Sequence, residues 1–109
     1  MPKGIKLESE IIGSHPIATR GDTVTVAYEL RLNRGELVQS VDSSSFVLGS
    51  REVIPALDYG VAGMAVGGRR IYRAGPHLGY REAGVEGVIP PNAVLHFDVR
   101  LLAIRKASD

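Results

Sequence analysis

In GVIPPNAVLHFDVRLLAI, residues 87–104, two prolines stand directly before a long alternating segment. Leu95, Phe97, Val99 and Leu101 share one face, and His96, Asp98 and Arg100 the other. That two-residue period belongs to a strand buried on one side. Proline has no N–H for a ladder, so Pro90 and Pro91 must lie outside the sheet in a rigid loop. The residue before a proline is pushed to extended geometry, which predicts that Ile89 is held out at the tip of that loop. A stiff apolar loop beside a core strand is either a lid on the core or one wall of a groove.

The same alternation recurs upstream. In TVTVAYELRL, residues 23–32, Val24, Val26, Tyr28, Leu30 and Leu32 face one way, and Thr23, Thr25, Ala27, Glu29 and Arg31 the other. NRG at 33–35 reads as a hairpin turn, and ELVQS at 36–40 as the antiparallel return. SSSFVLGS at 43–50 reads as a further short strand behind a serine loop, and IKLESEII at 5–12 as a first strand. The segment GSHPIATRGD at 13–22 is rich in turn formers.

EVIPALDYGVAGM, residues 52–64, changes period. Pro55 suits a first helical position, where its missing N–H costs nothing, and Leu57, Val61 and Met64 recur on one helical stripe. Gly60 and Gly63 weaken the helix, and VGG at 66–68 ends it. RRIYRA at 69–74 is again a strand, and residues 75–92 form a long irregular loop. The expected fold class is α+β: an antiparallel twisted sheet of about five strands wrapped around one short helix. So short a helix leaves part of the inner face uncovered, with Tyr28, Phe46 and Phe97 as the large side chains at that end. An apolar concavity with a few polar tips is the expected binding site.

Composition narrows the function. The chain has 109 residues, thirteen Lys and Arg against twelve acids, and a net charge of +1. It reads as one domain, residues 1–109, with 1–20 as an N-terminal strand and lead-in. The charge balance gives no electrostatic case for nucleic acid or an anionic membrane. No window approaches a membrane span or a signal peptide, so a cytoplasmic location is expected. There is no cysteine, which excludes disulfides, thiolate nucleophiles and zinc–thiolate sites. His15, His77 and His96 lie at unrelated spacings, so no metal site is expected. GVAGMAVGG lacks the Gly-Lys-Ser/Thr ending of a phosphate loop, and DSSS at 42–45 is near no plausible base. The adjacent Arg69 and Arg70 read as a solvated strand end.

FVLGSREVIPALDYGVAGMAVGGRR at 46–70, PHLGY at 76–80 and GVIPPNAVLHFDVRLL together resemble the FKBP-type peptidyl-prolyl cis-trans isomerases, the macrolide-binding immunophilins. The likeness runs from Gly21 to Ile104. It implies a rotamase that turns the peptide bond before proline and assists protein folding, with no metal or cofactor. Its partners would be proline-containing peptides or unfolded protein clients. By residue-wise match, Tyr28, Phe46, Val53, Leu57, Ile89 and Phe97 would form a dry cup. The Ile54 N–H and the Tyr80 hydroxyl would hold carbonyls on either side of the twisting bond.

Four positions depart from the family pattern. Val38 and Gln39 replace a Phe-Asp pair, Leu57 replaces a tryptophan, and Ser44 replaces an aromatic. Substrate-binding roles thus fall to Tyr28, Val38, Phe46, Val53, Ile54, Leu57, Tyr80, Ile89 and Phe97. The catalytic set is Tyr28, Gln39, Ile54, Tyr80 and Phe97. The wider cup and the lost charge at Gln39 predict reduced activity and weakened macrolide affinity. A reading from another class stays open: a weak or inactive module that holds proline-bearing segments or acts as a chaperone.

Overall fold

The computed structural model describes residues 3–107; residues 1–2 and 108–109 of the expected domain lie outside it. Strands β1 (Ile5–Ile11), β3 (Thr23–Arg31), β4 (Leu37–Val47), β6 (Arg69–Ala74) and β7 (Leu95–Arg105) form one sheet, in the order β1-β6-β7-β3-β4. All neighbours are antiparallel. Helix α1 (Pro55–Val61) lies against the inner face, as the change of period predicts.

The two alternating strands lie side by side, with Leu30 opposite Phe97 and Val26 opposite Leu101. Their inward residues join Leu57, Val61 and Met64 in one buried cluster. Fully burying each such aliphatic side chain contributes roughly 1.5–3 kcal/mol, which fixes which face turns in.

Two elements differ from expectation. The return strand and the serine segment are one continuous β4, because the register shift between Val26 and Tyr28 absorbs one extra residue as a bulge. In the turn-rich segment, β2 (Ser14–Ile17) pairs with β5 (Ala65–Val66).

Arg70 corrects the solvated-end reading, for it is only 9% exposed. Its Nε donates to Glu10 at 2.7 Å, and its Nη1 donates to the Gly60 and Ala62 carbonyls at 2.9 and 2.8 Å. The alternation of β6 points Arg70, Tyr72 and Ala74 inward, so the guanidinium closes the C-terminal end of α1. Arg69 faces outward and grips Asp98 with two bonds, of 2.8 and 2.6 Å. Gly60 permits the helix to sit on the sheet, since a Cβ there would strike the Tyr72 phenol. Its role is close approach rather than weakening of the helix.

Candidate functional site

The site gathers at the N-terminal end of α1. Ile54 precedes Pro55 and takes extended geometry (φ −61, ψ 149) as the proline requires. Its carbonyl accepts from Leu57 N–H at 3.0 Å and Asp58 N–H at 3.2 Å, which starts the helix. Its own N–H has no acceptor among the described residues. The buried Asp58 carboxylate accepts from Gly49 N–H at 3.0 and 2.9 Å, fastening the end of β4 to the helix and fixing the Val53–Ile54 lip between them.

Tyr80 follows a 3-10 turn at Pro76–Leu78. Backbone bonds from Gly79 and Arg81 N–H to the Pro76 carbonyl, both 3.0 Å, and from Gly84 N–H to the Tyr80 carbonyl, 2.9 Å, hold its main chain. Its hydroxyl has no partner among the described residues, none of which leaves a buried side-chain polar atom unpaired. That hydroxyl is therefore within reach of solvent or a ligand.

The sheet supplies an aromatic row on its inner face. Phe97 stacks on Tyr72 at 5.3 Å and 17°, and meets Tyr28 at 6.2 Å in a tilted arrangement. Burial pushes the Tyr28 phenol above its ordinary range, and the Tyr80 phenol beside it adds to the shift, so Tyr28 stays a neutral donor. It donates to Gln39 Oε1 at 3.3 Å, a neutral and long bond to an exposed residue.

The candidate residues thus separate into two tiers. Tyr28, Val38, Val53, Ile54 and Tyr80 are half-buried and pack on the core as a rim. Phe46, Leu57, Ile89 and Phe97 lie within the core below. This corrects the expectation that Phe46 and Phe97 stay uncovered, for they are 3% and 2% exposed.

Ile89 also departs from expectation: it is 5% exposed and turned inward, while Val88 is 51% exposed at the loop surface. Reciprocal Val85–Ile89 backbone bonds of 2.8 and 2.7 Å tighten the loop, and Gly84 (φ +59) allows the main chain to pass close to the Ile89 carbonyl. The loop therefore seals the base while its prolines stay outside the sheet.

Sequence reasoning missed Tyr72. It is fully buried, donates to the Ala56 carbonyl at 2.9 Å and backs Phe97. Burial raises its phenol pKa strongly, so the ring remains a neutral donor. Its signal was the alternation of RRIYRA, which places Tyr72 on the same face as Arg70. Among the described residues no cluster of three potential metal ligands occurs; His96 bonds Asn33 Oδ1 at 2.7 Å.

The candidate residues thus supply an apolar base, a half-buried rim and two donors unpartnered among the described residues. The profile of the family described as FKBP-type peptidyl-prolyl cis-trans isomerase matches residues 15–102. The chain belongs to that family. Over 106 residues, 94% of this chain, it is 42% identical to FK506-binding protein 4 of Aspergillus oryzae, and covers 22% of that protein. It is 39% identical over 106 residues to the 46 kDa FK506-binding nuclear protein of Spodoptera frugiperda, covering 26% of it. Over 92 residues, 81% of this chain, it is 39% identical to peptidyl-prolyl cis-trans isomerase FKBP9 of Homo sapiens, covering 16% of it. The chain thus spans about a quarter or less of the length of these relatives.

Proposed function

We propose that this domain accelerates cis–trans isomerisation of X-Pro bonds in proline-containing peptides and unfolded chains. The barrier, about 18–20 kcal/mol, arises from amide resonance. Twisting removes that resonance and lowers the negative charge on the carbonyl oxygen. Water bonded to the planar amide therefore favours the ground state, and an apolar surface that excludes it favours the twisted form. No nucleophile is needed.

The observation that supports this reading is the pair of unpartnered donors, Ile54 N–H and Tyr80 hydroxyl, on half-buried residues that pack on the same core as the Tyr28–Phe97–Tyr72 row. In the proposal the prolyl ring settles among Tyr28, Val53, Ile54 and Tyr80. The two donors hold carbonyls flanking the bond, each bond contributing on the order of 1 kcal/mol. Macrolides of the kind named in the relatives are proposed to share this rim, with affinity lowered by the small side chains Val38 and Leu57.

A second reading is favoured by the near-complete burial of Phe46 and Phe97. A rim above a sealed base can grip proline without enclosing the amide, which describes a holding module. A protease-coupled assay on a neutral proline tetrapeptide separates the two. The isomerase reading expects micromolar protein to speed the slow phase, and no acceleration leaves only binding.

A further inference from the structure

A second concavity lies at the same lip, where Val53 and Pro55, the residues on either side of Ile54, both line it. The cavity measures about 400 Å³ and is completed by Arg20, Arg51, Asp58 and Tyr59. Neither Arg20 nor Arg51 pairs with a carboxylate among the described residues. Asp58 turns both carboxylate oxygens to Gly49 N–H, and Glu52 turns one oxygen to Val47 N–H at 3.4 Å. What the cavity offers a ligand is therefore two guanidinium groups and an exposed Tyr59 phenol.

The Arg20 stem lies over Gly49, where a Cβ would meet its Cγ at 2.7 Å. Arg51 sits at φ 68, a left-handed conformation that a non-glycine side chain adopts at a cost.

We infer that this cavity is an anion subsite, in which Arg20 and Arg51 receive a carboxylate or phosphate-ester side chain placed one or two residues from the proline. The inference rests on the proposed isomerase reading, since a chain whose carbonyl bonds Ile54 N–H must run past Val53 or Pro55. Guanidinium groups suit both anions, because their donors match carboxylate and phosphate oxygens. The gain is that of a partly solvated charge pair, about two- to five-fold in kcat/KM.

The test compares proline peptides that differ only at the flanking position: Gln as the neutral reference, Glu, phosphoserine and Lys. Expected is the order phosphoserine or Glu above Gln above Lys, with the anionic advantage fading in about 0.5 M salt. Which anion leads identifies the source. In Arg20→Gln/Arg51→Gln the ratio of Glu to Gln peptide should fall to about one, and Arg51→Lys in the wild-type background should retain part of it.

Equal rates for all four peptides, at low and high salt, overturn the subsite while leaving the isomerase reading in place. No acceleration of any peptide overturns both. The salt series on the unmodified protein decides even if the double variant fails to fold.

Discussion

At the C-terminal end of α1, Arg70 answers the Gly60 and Ala62 carbonyls, pairs with Glu10 and ties helix to sheet from within. At the N-terminal end, seven residues away along the helix, Ile54 N–H and the Tyr80 hydroxyl have no partner among the described residues. The closed end holds the helix still, so the open end can present its donors at fixed positions without internal bonds of their own. Stability and binding should therefore respond to different substitutions.

The largest effect should come from Arg70→Met. It strands Glu10 and two carbonyls near the core, and a loss of about 3–5 kcal/mol in urea unfolding is expected. A loss below about 1 kcal/mol would mean that the closed end is not the anchor. Gly60→Ala should cost about 1–3 kcal/mol by overpacking against Tyr72. Combining it with Tyr72→Phe sharpens the point. Removing the hydroxyl should relieve part of the Gly60→Ala penalty, so the two costs should sum to more than the double variant shows.

Effects at the open end should be smaller and confined to turnover. Tyr80→Phe removes one donor at about 1 kcal/mol, a roughly five-fold fall in kcat/KM, with the unfolding midpoint almost unmoved. Equal losses of stability and turnover would erase the distinction between the ends. Gln39→Asp converts the bond from Tyr28 into a charge-assisted one and should raise kcat/KM about two- to three-fold.

The last effect is read in acid. Lys106 chiefly, together with the Thr19 and Ala107 N–H groups, holds the Asp22 carboxyl far below the usual carboxylate range. A depressed folded-state value stabilises above the unfolded value, about 3.9, and that contribution is lost as pH falls below it. Asp22→Asn should therefore flatten the decline of the urea midpoint below about pH 4. An acid limb as steep as the parent's would contradict this.

Much of the fold was legible because period and burial coincide. The alternations of residues 23–32 and 95–101 survive as neighbouring strands, and Pro55 opens the helix. The serine segment was not legible as part of β4, because a bulge breaks the period where the strand continues. The β2–β5 pair depends on backbone bonds between remote segments and carries no side-chain pattern.

At the site, residue types were legible and depth was not. Ile89 was placed outward because proline fixes the backbone of its neighbour, yet the side chain's direction is set by the Val85 bridge. Tyr72 escaped notice and Arg70 read as solvent-facing because a strand beginning with two arginines looks solvated. Their inward role depends on Gly60 and Glu10, which are far away in sequence.

The most direct test of the central claim is exchange spectroscopy on a neutral proline tetrapeptide with substoichiometric protein, read together with the Ile54 amide resonance. Accelerated exchange between cis and trans prolyl signals and a peptide-dependent shift of the Ile54 amide are expected. Unaltered exchange with a stationary Ile54 signal at millimolar peptide would contradict that claim.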